Sequence, residues 1–120
     1  MTVVDIHHVQ LAMPEGEEKR AIEFYERLLR ISHVPKPPHL AGRGGCWFES
    51  ERVKIHLGVE RNFRPARKAH PAFLVENLNR LRERLTEAGT DVVDDQPLPG
   101  FRRFYAYDPF GNRLEFLEAA

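Results

Sequence analysis

Polar and apolar side chains alternate through residues 4–13. Val9 and Leu11 take one parity with His7, while His8, Gln10 and Ala12 take the other, the period-two signature of a strand with one covered face. Pro14, Glu15 and Gly16 end it. Over residues 17–31 the period lengthens, and Ala21, Ile22, Phe24, Tyr25, Leu28 and Leu29 form an apolar stripe between charged residues, which predicts a helix. Residues 35–38 hold three prolines and predict a loop. Two short strands are expected next, at residues 47–49 and 53–59, joined by a polar turn of Ser50, Glu51 and Arg52. In the second of these, Ile55, Leu57 and Val59 share one face and Lys54, His56 and Gly58 the other.

After a basic connection over residues 61–68 the scheme restarts. Residues 69–75 predict a strand, with His70, Ala72 and Leu74 on one face and Pro71, Phe73 and Val75 on the other. Residues 77–88 predict a helix with Leu78, Leu81 and Leu85 on its apolar side and Gly89 as its stop. A strand at residues 91–93 and a Pro/Gly-rich loop at 96–100 follow. A hairpin then joins residues 101–107 to 113–117 about the reversal Asp108-Pro109-Phe110-Gly111-Asn112. The order strand, helix, two or three strands therefore occurs twice, at an offset of about 60 residues. This predicts an α+β protein, a single domain over residues 1–120 built of two paired β-α-β-β-β modules, 1–62 and 67–120. Each helix covers one sheet face, and the two uncovered faces are expected to curl into a cup-shaped half-barrel.

A chain of 120 residues can bury one useful core and is short for two independent domains of ordinary size. Lys plus Arg and Asp plus Glu number 18 each, so no net field draws the chain to nucleic acid or to anionic lipid. No apolar run approaches the roughly 20 residues of a membrane span, and no basic-then-apolar leader is visible. The single Cys46 cannot form an internal disulfide, and it reads as a small buried residue. The expected location is the cytoplasm, with neither nucleic acid nor membrane as partner. Residues 42–45, Gly-Arg-Gly-Gly, lack the strand-to-helix context and lysine of a phosphate loop and predict a flexible turn.

Four side chains carry the candidate chemistry. His8 and His56 lie 48 residues apart, and His70 and Glu115 lie 45 apart, one pair in each module. In each strand the aliphatic side chains claim the helix-covered face, which pushes these four onto the open one. Glu115 shows it most plainly, because its neighbours Leu114 and Phe116 must point the other way. Imidazoles with one carboxylate suit a divalent zinc, nickel, cobalt, manganese or iron ion. A lone histidine on a wet strand face would ordinarily need no function; four ligand-type residues at repeat-related positions with matching parity favour a shared metal site. His7 fails the parity test, and His33 and His39 fall in the Pro-rich loop, so all three read as surface residues.

The segments Ile6-His7-His8-Val9-Gln10-Leu11, Ile55-His56-Leu57-Gly58, His70-Pro71-Ala72-Phe73-Leu74-Val75 and Asp108-Pro109-Phe110-Gly111-Asn112-Arg113-Leu114-Glu115 resemble the vicinal oxygen chelate superfamily. That superfamily holds glyoxalase I, extradiol dioxygenases, fosfomycin-resistance enzymes and bleomycin-binding proteins. The likeness covers nearly the whole chain, and the last segment is its most specific part. It implies that His8, His70 and Glu115 occupy the metal positions of the dioxygenases and fosfomycin enzymes. His56 stands where glyoxalase I carries a glutamate that is both ligand and base, so here it is expected as fourth ligand or as acid/base catalyst. Tyr105 matches a tyrosine that fosfomycin enzymes place near the substrate. The resemblance also implies a homodimer.

Around the open face, Arg103, Tyr105 and Tyr107 alternate with Phe104 and Ala106. Tyr105 is the candidate to donate a hydrogen bond to a reacting oxygen, and Arg103 to hold a carboxylate or phosphonate; a solvated strand face is the plainer alternative. Trp47 and Phe48 are adjacent, so one meets the core and the other the open face, where Trp47 is the candidate substrate contact. Gln10 shares the face of His8 and is placed to orient ligand or water. The expected function is that of a divalent-metal-dependent, glyoxalase-like enzyme with lyase, isomerase or transferase chemistry on a small substrate bound through two neighbouring oxygens. An extradiol-type dioxygenase and a metal-free bleomycin-type binding protein are the alternatives.

Overall fold

A computed structural model describes all 120 residues, 1–120. The chain divides into two compact units, Met1–Arg64 and Pro65–Ala120. The first holds strand β1 (Val9–Met13), helix α1 (Glu18–Ile22) running on into a π-helical stretch (Glu23–Leu28), strand β2 (His33–Val34), the short helix α2 (Pro38–Ala41), β3 (Cys46–Ser50) and β4 (Val53–Val59). The second holds β5 (Ala72–Leu74), α3 (Leu78–Glu87), β6 (Val92–Asp94), β7 (Phe101–Tyr107) and β8 (Arg113–Ala119).

Each unit carries one four-stranded sheet, in the orders β1-β4-β3-β2 and β5-β8-β7-β6. In both, the first strand pairs parallel with the last and the other neighbours are antiparallel. Position for position the two sheets share one connection scheme, so the repetition of periodicities along the chain reflects a repetition of topology. The α+β class and the two β-α-β-β-β modules are those the sequence predicts.

Burial follows the strand parities. In the first unit Met13, Phe48, Ile55 and Leu57 are buried with Ala21, Phe24 and Tyr25, and the rings of Tyr25 and Phe48 meet at 5.3 Å. In the second, Phe104, Ala106, Leu114 and Phe116 are buried with Leu78, Leu81 and Leu85 of α3, placing that core between sheet and helix. Asn77 caps α3 by accepting a hydrogen bond from the Arg80 amide at 3.1 Å.

Several boundaries differ from expectation, among them the strand expected at residues 69–75, which is only Ala72–Leu74 and leaves His70 ahead of it. The first strand begins at Val9 rather than at residue 4. Val9 pairs in parallel with Ile55, and β4 starts only two residues earlier, so the chain before His7 has no strand beside it. Val3, Val4 and Ile6 are accordingly exposed. The first helix widens to π geometry, with the Leu29 amide donating to Phe24 O at 3.0 Å, and ends before residue 31 because Arg30 turns to φ 62°. In the Pro-rich segment a two-residue strand precedes α2, which starts on a proline whose missing N–H costs the first turn nothing.

One glycine in the first unit is obligatory. Gly45 adopts φ +79°, and a Cβ there would lie 2.1 Å from the carbonyl oxygen of Leu57. Its amide donates to Glu18 Oε2 at 2.8 Å, anchoring the entry to β3.

Candidate functional site

The candidate residues form two clusters, one per unit. In the first, β4 sits between β1 and β3, and the register sets Gln10, His56 and Trp47 side by side across the three strands. The Trp47 indole and His56 imidazole stack at 4.0 Å with only 3° between their planes, and His8 stacks on His56 at 4.3 Å and 22°. This sandwich leaves His56 only 3 % exposed although it occupies the face away from the helix.

Its Nε2 faces Glu49 Oε2 at 2.9 Å. Burial lowers the His56 pKa below the ordinary 6.5; the hydrogen bond and charge of Glu49 oppose this, and the His8 and His7 charges add to it. His56 is therefore neutral near pH 7, and a neutral ring facing Glu49 donates its proton through Nε2. His8 lies outside β1, exposed, with its Nδ1 at 2.9 Å from Nδ1 of His7. Gln10 lies across Gly58, where an added Cβ would come within 2.5 Å of its Nε2.

The second cluster is built by β5, β8 and β7. Ala72 pairs with Glu115 and Glu115 with Tyr105, so His70, Glu115 and Tyr105 share one face. The buried turn at residues 108–112 fixes this register. Asp108 Oδ1 accepts from the amides of Phe110 and Asn112, both at 2.9 Å, and Asp108 Oδ2 accepts from Asn112 Nδ2 at 2.9 Å. The Asn112 side-chain oxygen in turn accepts from the Ala66 amide at 3.0 Å, and the Arg113 amide donates to Ala66 O at 2.8 Å. The motif thus ties the approach to His70 onto the approach to Glu115.

His70 Nδ1 lies 2.8 Å from the carbonyl oxygen of Lys68, which can only accept, so Nδ1 carries a proton. Nε2 then points at Glu115 Oε1, 2.8 Å away. In a neutral imidazole that nitrogen is a bare lone pair facing a carboxylate oxygen, and only a proton or a cation between them makes the contact favourable. A histidine held through one nitrogen by a carbonyl and aimed with the other at a carboxylate has the donor chemistry of a metal half-site.

Glu115 Oε2 accepts instead from Arg103 Nη1 at 3.2 Å, and the same nitrogen donates to Tyr105 Oη at 3.0 Å. Burial acts against the Arg103 charge, but the hydrogen bond to Glu115, followed by the charges of Tyr105, Glu115 and Asp95, raises its pKa above the ordinary arginine value. The Arg113 guanidinium lies 3.7 Å above the Tyr105 ring, with its buried Nε unpartnered, and His70 meets the same ring edge-on at 5.3 Å.

The structure therefore pairs His8 with His56 and His70 with Glu115, and gathers no set of three or more His, Cys, Asp or Glu side chains into a metal-binding cluster. Sequence reasoning missed Glu49 and Asp95. The signal for Glu49 was available, because it shares parity with Trp47 on a strand paired to the one that carries His56. Asp95 lies beyond β6, where no periodicity exists to place it.

The twice-repeated four-stranded sheet points to the class of protein. Residues 10–117 match the model of the glyoxalase-like domain. The solved structure of a glyoxalase family protein from Bacillus anthracis is 45 % identical, with a TM-score of 0.94 over 100 % of this chain and 98 % of that one. The chain belongs to the glyoxalase-like family of the vicinal oxygen chelate superfamily. More distant similarities are of fold alone. A glyoxalase/dioxygenase from Nostoc punctiforme is 18 % identical, with TM-score 0.79 over 99 % and 93 % of the two chains. The fosfomycin resistance protein FosX from Listeria monocytogenes is 15 % identical, with TM-score 0.77 over 99 % and 96 %. No curated protein matches the chain. No helix is long and apolar enough to cross a membrane.

Proposed function

We propose that the protein is a divalent-metal-dependent enzyme performing lyase, isomerase or transferase chemistry on a small substrate bound through neighbouring oxygens. The observation that carries this reading is the convergence of His70 Nε2 and Glu115 Oε1, an imidazole nitrogen and a carboxylate oxygen 2.8 Å apart, with His70 Nδ1 held by the Lys68 carbonyl. In this reading His70 and Glu115 hold the ion, and His8 is the third protein ligand on the strength of the family resemblance. Bound there, the ion supplies Lewis acidity that stabilises negative charge developing on a substrate oxygen.

The remaining roles follow from the chain's own groups. Tyr105 Oη accepts from Arg103, which polarises the phenol and leaves its own proton free to donate to the substrate. Gln10 and Trp47 are the candidate substrate contacts of the first unit. His56, neutral at pH 7, is the candidate proton acceptor or fourth ligand. Its Nε2 contact with Glu49 favours a second reading, in which two histidines and one carboxylate leave the ion open as in extradiol-type dioxygenases. A homodimer, typical of the family, and a cytoplasmic location complete the proposal.

The test is a substrate panel on metal-loaded protein: methylglyoxal–thiol adducts, fosfomycin with a thiol, and catechols with O₂. Turnover in one arm, lost in both His70→Ala and Glu115→Gln, is expected. Turnover that survives both substitutions, or silence in every arm, contradicts the proposal.

A further inference from the structure

Where β1 and β4 run side by side toward their C-terminal ends, the first unit opens into a cleft of about 500 Å³. The register explains the space. Ala12 pairs with Gly58, so two of the smallest residues lie next to each other on the face that carries Gln10 and His56. Gln10 bounds the cleft on the side of the strand starts by lying across Gly58, where a Cβ would stand 2.5 Å from its Nε2. Toward the strand ends the Glu60 amide donates to Met13 O at 3.0 Å, which carries the parallel pairing one residue past β4. The chain then turns at Asn62, with φ 57°, and leaves Glu60 and Arg61 at the mouth of the cleft.

Gln10, Glu60 and Arg61 are exposed, and none of their side chains is engaged in a hydrogen bond or ion pair within the chain. This sets them apart from Arg103 and Glu115, which are tied to each other. On a convex surface such groups would only be hydrated. Around a depression floored by Ala12 and Gly58 they are the few polar contacts that orient a small molecule over an apolar base. A carboxylate and a guanidinium on adjacent residues suit a ligand whose own opposite charges are a few ångströms apart. An α-amino acid has that form.

We propose that this cleft binds a free α-amino acid with an apolar side chain. Its ammonium group meets Glu60, its carboxylate takes the fork of Arg61, Gln10 adds a hydrogen bond, and its side chain rests on Ala12 and Gly58. The proposal goes beyond the metal reading and does not rest on it, because all of its groups belong to the first unit and the His70–Glu115 pair to the second. Exposed charges are screened, so the dissociation constant expected is on the order of 0.1–1 mM.

The experiment is titration of the full chain, freed of metal with EDTA, with leucine, followed by amide shifts in ¹H–¹⁵N NMR spectra. Leucine should move the amides of Ala12 and of residues 58–61 with one saturable constant. N-acetyl-leucine and leucinamide, which stand for the two ends of a peptide, should each bind about tenfold more weakly or worse. Arg61→Met and Glu60→Gln should weaken leucine to the same degree. Gly58→Ala, whose methyl group displaces the flexible end of Gln10 and fills the floor, should weaken it about fivefold. The dispersion of each variant's spectrum shows that it is folded. Unchanged leucine affinity in Arg61→Met and Glu60→Gln, or equal binding of the two blocked analogues, means an apolar cleft without charge recognition and overturns the proposal. Absence of shifts at these residues up to about 10 mM leucine overturns it as well. With the metal removed, none of these results bears on the roles of His70 and Glu115.

Discussion

The imidazole of His70 and the carboxylate of Glu115, 45 residues apart in the chain, meet at 2.8 Å with the histidine's other nitrogen held by Lys68 O. A parallel strand pair places them there, since the Glu115 amide donates to Pro71 O and Ala72 pairs with Glu115. Glu115 is also the counter-charge of Arg103. Glu115→Ala is therefore expected to cost about 2–3 kcal/mol, somewhat less than a fully buried pair because Arg103 keeps some contact with water. Urea denaturation measures it. Arg103→Met/Glu115→Ala together should cost less than the sum of the single changes, and strict additivity would mean that the two charges do not interact.

His56 makes stability depend on pH in one direction. Its folded pKa lies below the ordinary 6.5, chiefly because the ring is buried, so the unfolded chain takes up the proton first as pH falls. This contribution is absent well above pH 6.5. Stability should decline as pH drops through 6.5 and level off once the folded ring protonates as well. His56→Phe, which keeps a flat ring between Trp47 and His8, should flatten the melting temperature between pH 7.5 and 5.5 relative to wild type. An unchanged slope in that variant would assign the dependence to other groups.

Asn112 is 1 % exposed and bonds both Asp108 and Ala66. Asn112→Ala leaves buried donors and acceptors unpaired and should cost about 2 kcal/mol. Because the same turn positions His70 against Glu115, the variant should also bind divalent metal more weakly under conditions where it remains folded. Calorimetry on the folded variant reads this; wild-type metal affinity would confine the turn to a stabilising role.

Cys46 should be inert in the native protein. Burial first, then the nearby Glu18 charge, pushes its thiol to about 12, with Lys36 opposing. A thiol reagent at pH 8 should label it only as fast as the chain opens, and fully in denaturant. Rapid labelling under native conditions would place the thiol at the surface.

Much of this was legible in the alternation of residues. The parity that sends Leu114 and Phe116 to the core sends Glu115 to the other face, and that of Ile55 and Leu57 does the same for His56. The hairpin strand at residues 101–107 ends where the alternation ends. Parity says nothing about how far a strand extends beyond its neighbour, and the unpaired stretch before Val9 went unforeseen for that reason. It also identifies a face and not the contacts made on it. Arg103 pairs in register with Leu117, and only its length and diagonal reach bring it to Glu115. Glu49 reaches His56 in the same diagonal way, from the register partner of Lys54. The Asp-Pro-Phe-Gly-Asn segment was readable as a family mark and a reversal; its ties to Ala66 belong to the folded chain alone.

The measurement that bears most directly on the central claim is elemental analysis of protein purified without chelators and then equilibrated with one divalent metal, for wild type, His8→Ala, His70→Ala and Glu115→Gln. The account predicts one tightly held ion per chain in wild type and loss of that ion in His70→Ala and Glu115→Gln, with His8→Ala weakened. A stoichiometric ion retained in His70→Ala, or none held by wild type, would contradict it.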